Sequence, residues 1–411
     1  MAIKNKIGLV LSGGGARGAY EVGVLKFIRE KLYRDIGVKV KFDIFCGTSI
    51  GAINACYLAA TAISPQRGLQ ELIDVWLSMR FEDVVQFGLQ QLLRTPRLLL
   101  GDLPFYRDRE GRLGGLLNTM PLERLVMDQI PWSGIRQGLQ HGLFEAISVT
   151  ATDVMSGLST VFIERRDLSV PLWSRDRQII TRPTRIRPEH ALASAAIPVL
   201  FPAIMIEGRY YTDGGVRQNT PISPALRLGA NKLLVIGLRH EEKSPQSLPA
   251  ENVSNLSRFP GLPFIIGKIL NALLLDHLDY DLDRLKRFNT LLEGGKIVYG
   301  PDFENKINGV LLPMRQASYR HVEAVAIRPS VDLGYIASLQ AKNGRFSKNN
   351  KGILARYLKH TAISQDAVDA DLLSYLLFDA DYARDLIELG YQDAANKQDE
   401  LARLFLEDIQ E

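Results

Sequence analysis

The sequence predicts an α/β fold, and two stretches near its start carry that prediction. Ile7-Gly8-Leu9-Val10-Leu11-Ser12 reads as a buried strand that runs through Gly13-Gly14-Gly15-Ala16-Arg17-Gly18 into Ala19 to Leu32. There Val22, Leu25, Ile28 and Leu32 recur with a helical period. Phe42 to Cys46 is a second short apolar run, and it passes through Gly47-Thr48-Ser49-Ile50-Gly51 into a small-residue apolar segment. Two successive βα units of this kind place their strands side by side in a parallel sheet. The size agrees: 411 residues, 46% hydrophobic and 23% charged, supply a large core. That length fits two domains, or one large α/β domain with an appended helical part.

The first loop contains G-x-G-x-x-G (Gly13, Gly15, Gly18), so a dinucleotide site has to be weighed. Such a site needs an acidic residue at the end of the second strand to hold a ribose. That strand ends instead in Gly47-Thr48-Ser49, and no Gly-Lys-Ser/Thr follows to make a P-loop. The other use of three adjacent glycines is an oxyanion hole. Backbone N–H groups of Gly13, Gly14 and Gly15 converge on one small space with no side chain in the way, and Arg17 stands beside them. Arg17 serves either there or as an ordinary ion-pair partner that positions the loop.

The second turn fits G-x-S-x-G in the strand–turn–helix context a nucleophile elbow requires. The reason is steric. A serine at the tip of so tight a turn is backbone-strained, and its neighbours two residues away, Gly47 and Gly51, must be tiny to avoid collision. The helix that begins at once sets its positive end beneath Ser49.

Further along, Leu69 to Leu77 is amphipathic. Residues 81–117 are irregular and leucine-rich, either a lid or interfacial patch or a buried helix pair. Phe144 to Asp153 alternates as a strand and pairs with Ser159 to Glu164 through Met155-Ser156-Gly157. Seven arginines follow between residues 165 and 187, suited to phosphate headgroups or to plain solvation. Glu189 to Ala196 is a short helix stopped by Pro198, and Val199-Leu200-Phe201-Pro202 suits a pocket wall. A hairpin, Ala203–Ile206 with Arg209–Thr212, ends in Asp213-Gly214-Gly215, where a carboxylate could meet the elbow. Pro221 to Leu228 is helical, and Lys232 to Leu238 reads as the last sheet strand. Phe264 to Phe288 is then expected as a long amphipathic helix, Ile297 to Met314 as mixed strands and turns, and Ile363 to Leu406 as acidic helix.

Composition narrows the function. Cys46 and Cys56 flank Ser49 and read as reduced core residues, so no disulfide framework is expected. Six scattered histidines show no ligand spacing, and no metal or cofactor is expected. The N-terminal residues are not expected to act as a secretory signal, and the longest apolar run, Leu262 to Leu275, contains Lys268 and is too short to span a bilayer. A cytoplasmic or membrane-peripheral protein is expected. The net charge of +4 is uneven: Asp366 to Glu411 carries −10 and the remainder +14. A basic body suits an anionic surface, although solvated faces are charged in any case.

The order Gly13-Gly14-Gly15-Ala16-Arg17-Gly18, Gly47-Thr48-Ser49-Ile50-Gly51, Asp213-Gly214-Gly215 resembles the patatin-like phospholipase family. The Ala-Ser-Ala-Ala-Ile-Pro-Val-Leu-Phe-Pro run at 193–202 resembles the block that family carries before its aspartate. Ser374-Tyr375-Leu376-Leu377-Phe378-Asp379 through Leu389-Gly390-Tyr391 is similar to the tail of bacterial members. The resemblance implies a three-layer α/β/α sandwich over about residues 1–240 with a helical region, 241–411, packed on it. It implies a Ser49–Asp213 dyad, with Gly13, Gly14, Gly15 and Arg17 at the oxyanion and Gly18, Gly47, Gly51, Gly214 and Gly215 as motif support. The expected function is hydrolysis of fatty-acyl esters of phospholipids or lysophospholipids at a membrane surface, without metal. No histidine after Asp213 can be tied to the elbow, as an α/β-hydrolase triad would require. The rival functions are acyl transfer to an alcohol or thiol, and a non-catalytic lipid-binding regulator. A nucleic-acid partner is not expected, since stacking motifs are lacking.

Overall fold

The computed structural model of the chain describes residues 5–37, 40–84, 115, 117–169, 178–240, 278–315, 318–342 and 370–406. The first βα unit is β1 (Ile7–Leu11), a tight turn over Gly15–Gly18, and α1 (Ala19–Phe27). The helical path continues through a wider turn at Ile28–Leu32 and one more turn, and stops at Gly37, whose φ of 69° ends it in the left-handed form. The second unit is β2 (Ile44–Thr48) and α2 (Ile50–Ala60), followed by α3 (Pro65–Ser78). After α4 (Met120–Gln129) and α5 (Ser133–Gln140) come β3 (Ala146–Asp153), β4 (Ser159–Arg165) and β5 (Ile179–Pro183). Then follow α6 (Pro188–Ser194), the hairpin β6 (Ile204–Ile206) and β7 (Arg209–Asp213), α7 (Ile222–Leu228) and β8 (Lys232–Ile236).

The sheet runs β5-β4-β3-β2-β1-β8 and ends on a strand after residue 240, β9 (Glu323–Ile327). β1 lies parallel to both β2 and β8, with Leu9 opposite Phe45 on one side and Leu234 on the other. β4 and β7 run antiparallel to β3, so the sheet is mixed. Alternate residues of each strand enter two cores on opposite faces. Leu9, Leu11, Phe45, Val149, Leu234 and Ile236 join the core beneath α1, α2 and α3, whereas Val10, Ile44, Cys46, Leu233 and Val235 meet α7. Helices on both faces of one sheet make the three layers. Cys46 and Cys56 are buried free thiols, and burial pushes the Cys46 thiol up to about 12.

Two expectations are corrected beyond residue 240. Lys232–Ile236 is not the last strand: β9 pairs with it in parallel, Lys232 opposite Glu323 and Ile236 opposite Ile327. Its sequence, Glu-Ala-Val-Ala-Ile, sits on an edge and has alanines where a strand signal needs branched residues. Residues 297–314 are helical rather than mixed strand, forming the end of α8 (Leu278–Tyr299) and all of α9 (Phe303–Arg315). The β-branched and aromatic run Ile297-Val298-Tyr299 suggests a strand, yet it is the exposed last turn of a helix. Gly300, at φ 90°, breaks the path there. Most of the leucine-rich stretch 81–117, read as a lid or interfacial patch or as a buried helix pair, lies outside the described residues (85–114 and 116), as do Phe264 to His277.

The chain ends in α10 (Leu333–Lys342), α11 (Ala370–Leu376), α12 (Ala380–Asn396) and α13 (Gln398–Leu406). α12 crosses α1 closely. A Cβ on Gly390 would meet Val24 N at 3.0 Å, and one on Gly23 would meet Ile387 Cα at 2.8 Å. Tyr20 Oη donates to Asp393 Oδ2 (2.9 Å), and Phe27 meets Tyr391 edge-on with ring centroids 5.3 Å apart. The helix that follows the glycine loop is thus clasped by the C-terminal region.

Candidate active site

β2 delivers Ser49 at its C-terminal end, and the residue takes φ 55°, ψ −127° before α2 starts at Ile50. A non-glycine residue with positive φ is strained, and a turn this sharp holds it there. The flanking glycines are obligatory. A Cβ on Gly51 would stand 2.5 Å from the Leu11 carbonyl oxygen, and one on Gly47 would stand 2.5 Å from the Gly51 carbonyl carbon. The Ser49 N–H donates to Ser194 Oγ (2.8 Å), whose own hydroxyl donates to the Thr150 carbonyl (2.6 Å). α6 and β3 therefore both hold the turn.

Asp213 arrives from the opposite direction at the end of β7. Its N–H donates to Ala196 O (2.8 Å), and its carbonyl accepts from Thr152 Oγ1 (2.9 Å). Oδ1 accepts the Gly215 N–H at 2.7 Å, leaving Oδ2 to accept the hydroxyl of Ser49 at 2.6 Å. Gly214 lies against the Thr150 carbonyl, too close for any side chain. Asp213 is fully buried. Desolvation pushes its carboxyl up to about 7, although the Ser49 and Gly215 bonds favour the ionised form. The histidines among the described residues are engaged elsewhere: His141 with Gln137, His190 with Arg187, His240 with Pro329 and His321 with Glu293.

The glycine loop stands over the same serine. A Cβ on Gly13 would lie 2.9 Å from Ser49 Cβ. The Gly13 amide, expected among the oxyanion donors, is taken up: it donates to Asn219 O at 3.2 Å, and the Asn219 side-chain amide returns a bond to Gly13 O, also 3.2 Å. The N–H groups of Gly14 and Gly15 meet no acceptor among the described residues. Arg17 also departs from the oxyanion expectation. Its guanidinium donates twice to Ser374 Oγ, at 2.8 Å from Nε and 2.6 Å from Nη2, and lies 4.1 Å from the centre of the Tyr375 ring. The planar cation has a hydroxyl acceptor and a π face in the C-terminal region. Gly18 allows Ile50 to pack where its side chain would be.

Sequence reasoning missed Ser194 and Asn219. Ser194 lies in the 193–202 run that was singled out, but its link to the Ser49 amide depends on α6 docking beside β3. Among the described residues no cluster of histidine, cysteine or acidic side chains could hold a metal, and no helix is long and apolar enough to cross a membrane.

The patatin-like phospholipase family model matches residues 9–226, just over half of the sequence, and includes the glycine loop, the elbow and Asp213. The chain belongs to the patatin-like phospholipase family. A cGAMP-activated phospholipase of Pseudomonas aeruginosa is 31% identical over 216 residues, 52% of this chain and 53% of that protein. An NTE family protein of Mycobacterium bovis is 23% identical over 249 residues, 61% of this chain and 53% of that one. The chain thus matches about half the length of these curated relatives. Among solved structures, VipD from Legionella pneumophila aligns over 92% of this chain and 91% of its own, at 13% identity and a TM-score of 0.28.

Proposed function

We propose that the protein is a serine esterase that hydrolyses fatty-acyl esters of phospholipids or lysophospholipids through a Ser49–Asp213 dyad, without metal. The 2.6 Å bond from Ser49 Oγ to the buried Asp213 Oδ2 carries this reading. Ser49 Oγ attacks the ester carbonyl carbon while its proton passes to Oδ2. The carbonyl oxygen becomes an oxyanion, held by the N–H groups of Gly14 and Gly15. Collapse breaks the bond to the alcohol, which leaves with the proton from Asp213. Water then gives a proton to Asp213 and attacks the acyl-enzyme, and the fatty acid departs as Ser49 regains its hydrogen. A carboxylate is a weak base for a hydroxyl in water; desolvation that brings it to about 7 fits it to the task.

A lipid surface as the working environment is supported by the rim. Met155, at 84% exposure, Val154 and Met205 present apolar side chains on the turn after β3 and the adjoining hairpin. Arg209 is bonded to Asp153 beside them, and Arg217, four residues past Asp213, ties the turn through the Gly157 carbonyl at 2.7 Å. Apolar tips with arginines between them suit an anionic bilayer face.

The test is fatty-acid release from mixed phospholipid micelles containing EDTA. Release by the wild type that Ser49→Ala and Asp213→Asn abolish, with both variants folded, is the expected result. Full activity in Ser49→Ala, or wild-type turnover that EDTA stops, overturns the reading.

A further inference from the structure

The family match ends at residue 226, yet the glycine loop is fastened to residues far beyond it. Gly15 has φ 57°, and its Cα is pressed against the backbone of Tyr375: a Cβ there would meet Tyr375 C at 3.1 Å and Cα at 3.3 Å, besides its carbonyl oxygen. Arg17, two residues on, is bonded to Ser374 Oγ and stacked on Tyr375. Ser374 is fully buried and Tyr375 nearly so. Phe378 stacks on Trp76, with centroids 6.2 Å apart. Trp76 Nε1 donates to Asn54 Oδ1 (3.3 Å), and Asn54 Nδ2 donates to the Gly18 carbonyl (3.2 Å). The same strap, residues 374–378, therefore touches the middle of the loop directly and its far end through Trp76 and Asn54, while Asn219 holds its beginning.

We propose that Ser374 and Tyr375, acting through Arg17, are positioning residues for the oxyanion amides: the strap fixes the left-handed turn at Gly15 and so aims the Gly14 and Gly15 N–H groups at the reacting carbonyl. This rests on the esterase reading above. The strap touches no substrate atom. A three-glycine loop has many conformations open to it, and oxyanion donors act only when held in place before the reaction. Ser374 Oγ bridges Nε and Nη2 of Arg17, so the guanidinium plane, and with it the loop backbone, has one orientation.

The experiment is a double-mutant cycle in the full chain with Ser374→Ala, Arg17→Lys and the pair, measured on soluble p-nitrophenyl butyrate. Each single variant is expected to lower kcat about three- to tenfold with KM within about twofold, because the lost interaction belongs to the transition state. The pair is expected to fall no further than the worse single variant. The pH midpoint should not move, since Asp213 is untouched, and labelling of Ser49 by a fluorophosphonate should slow in parallel. Multiplicative losses, a change in KM alone, or unchanged kcat overturns the proposal. Hydrogen exchange over residues 12–18 is read in the same proteins without any substrate. Faster exchange there in Ser374→Ala, in excess of any change at the other core amides, supports the coupling; unchanged exchange, or a rise shared equally by the whole core, overturns it. If the wild type hydrolyses no ester, the esterase reading falls, and the exchange arm alone decides whether the strap orders the loop.

Discussion

The turn that carries Ser49 and the glycine loop meet over that one serine, but they are built in different ways. The turn is built on a short continuous stretch, braced by Leu11 of β1 against Gly51 and by one bond from Ser194 of α6. β2, Ser49 and α2 are consecutive, and Gly47 and Gly51 remove the side chains that would otherwise collide. The loop's own structure amounts to one tight turn over Gly15–Gly18. Its shape comes from Asn219, some 200 residues away, and from Ser374 and Tyr375, more than 350 residues away. A nucleophile can be placed by local strain because strain needs only short-range sterics. An oxyanion hole of backbone amides needs freedom at the glycines, and that freedom has to be removed by contacts from outside.

The sharpest consequence concerns the dyad. Ser49→Ala is expected to lower ester hydrolysis by more than about 10³-fold. Asp213→Asn should do nearly the same, and in addition remove a pH dependence. With the carboxyl pushed up to about 7, the ionised base appears as pH rises through that value, so wild-type kcat/KM should climb up to about pH 7 and then level. Stability runs the other way. The folded protein holds this proton above the range where the unfolded chain releases it, so between about pH 4 and pH 7 the native state binds more protons and stability falls as pH rises. Asp213→Asn should flatten that slope and melt at a higher temperature than the wild type at pH 8. Thermal melts of both proteins at pH 5 and 8 check the sign; a wild type that gains stability over this interval relative to the variant contradicts the buried-base assignment.

A methyl group on each side separates the two construction modes. Gly51→Ala drives a Cβ into the Leu11 carbonyl inside the sheet–helix junction and should destabilise the protein by about 3 kcal/mol or more, visible by denaturant titration. Gly15→Ala pushes instead on the Tyr375 backbone and asks a non-glycine residue to hold φ 57°. The Tyr375 carbonyl oxygen lies nearer still, so the cost in stability should be of the same order, about 3 kcal/mol, and kcat should also fall by about 10²-fold, because one edge of the proposed oxyanion site moves. If Gly15→Ala keeps full kcat, the loop does not form the hole.

This contrast also accounts for what the sequence could be made to reveal. β1, β2, α1, α2 and the β6–β7 hairpin were readable because strand and helix periods are interrupted there by glycine turns at short range. The meeting of Ser49 with Asp213 was readable because a turn of this pattern and a strand end each carry a local signature. The bond made by Gly13's amide was not legible, since its acceptor, the Asn219 carbonyl, is a backbone atom with no sequence signature. Arg17 was open to two uses, and its bonds to Ser374, which the folding of α11 places against the loop, fit the one that positions the loop. β9 was missed because an alanine-rich edge strand has no hydrophobic period, and α8 ran on through Ile297-Val298-Tyr299 because helix continuity outweighed the β propensity of three exposed residues.

Ser194 falls between the two modes. Its hydroxyl links the Ser49 amide to the Thr150 carbonyl, so Ser194→Ala leaves a buried N–H and a buried carbonyl unsatisfied without changing any packing volume to speak of. A loss of about 1–3 kcal/mol in stability is expected, with about a tenfold fall in kcat as the turn relaxes. Equal kcat in the variant, measured on a soluble ester, would mean that the elbow's own sterics suffice to hold the nucleophile.

The smallest expected effect lies furthest from the chemistry, at the rim. Met155 is 84% exposed on the turn between β3 and β4, and the buried Asp153 holds that turn by accepting from the Met155 and Ser156 amides. Its side chain packs against nothing the fold needs, so Met155→Asp should leave the melting temperature unchanged. A charge at this point opposes entry of the turn into an anionic bilayer, where one buried methionine contributes about 1–2 kcal/mol and one added negative charge opposes binding further. Turnover on vesicles rich in anionic phospholipid should therefore fall about three- to tenfold, while turnover on p-nitrophenyl butyrate in solution stays at the wild-type level. Parallel losses on both substrates would place Met155 in the folding of the site. Wild-type rates on both would move the lipid-facing surface elsewhere on the molecule, away from the hairpin edge next to Asp213.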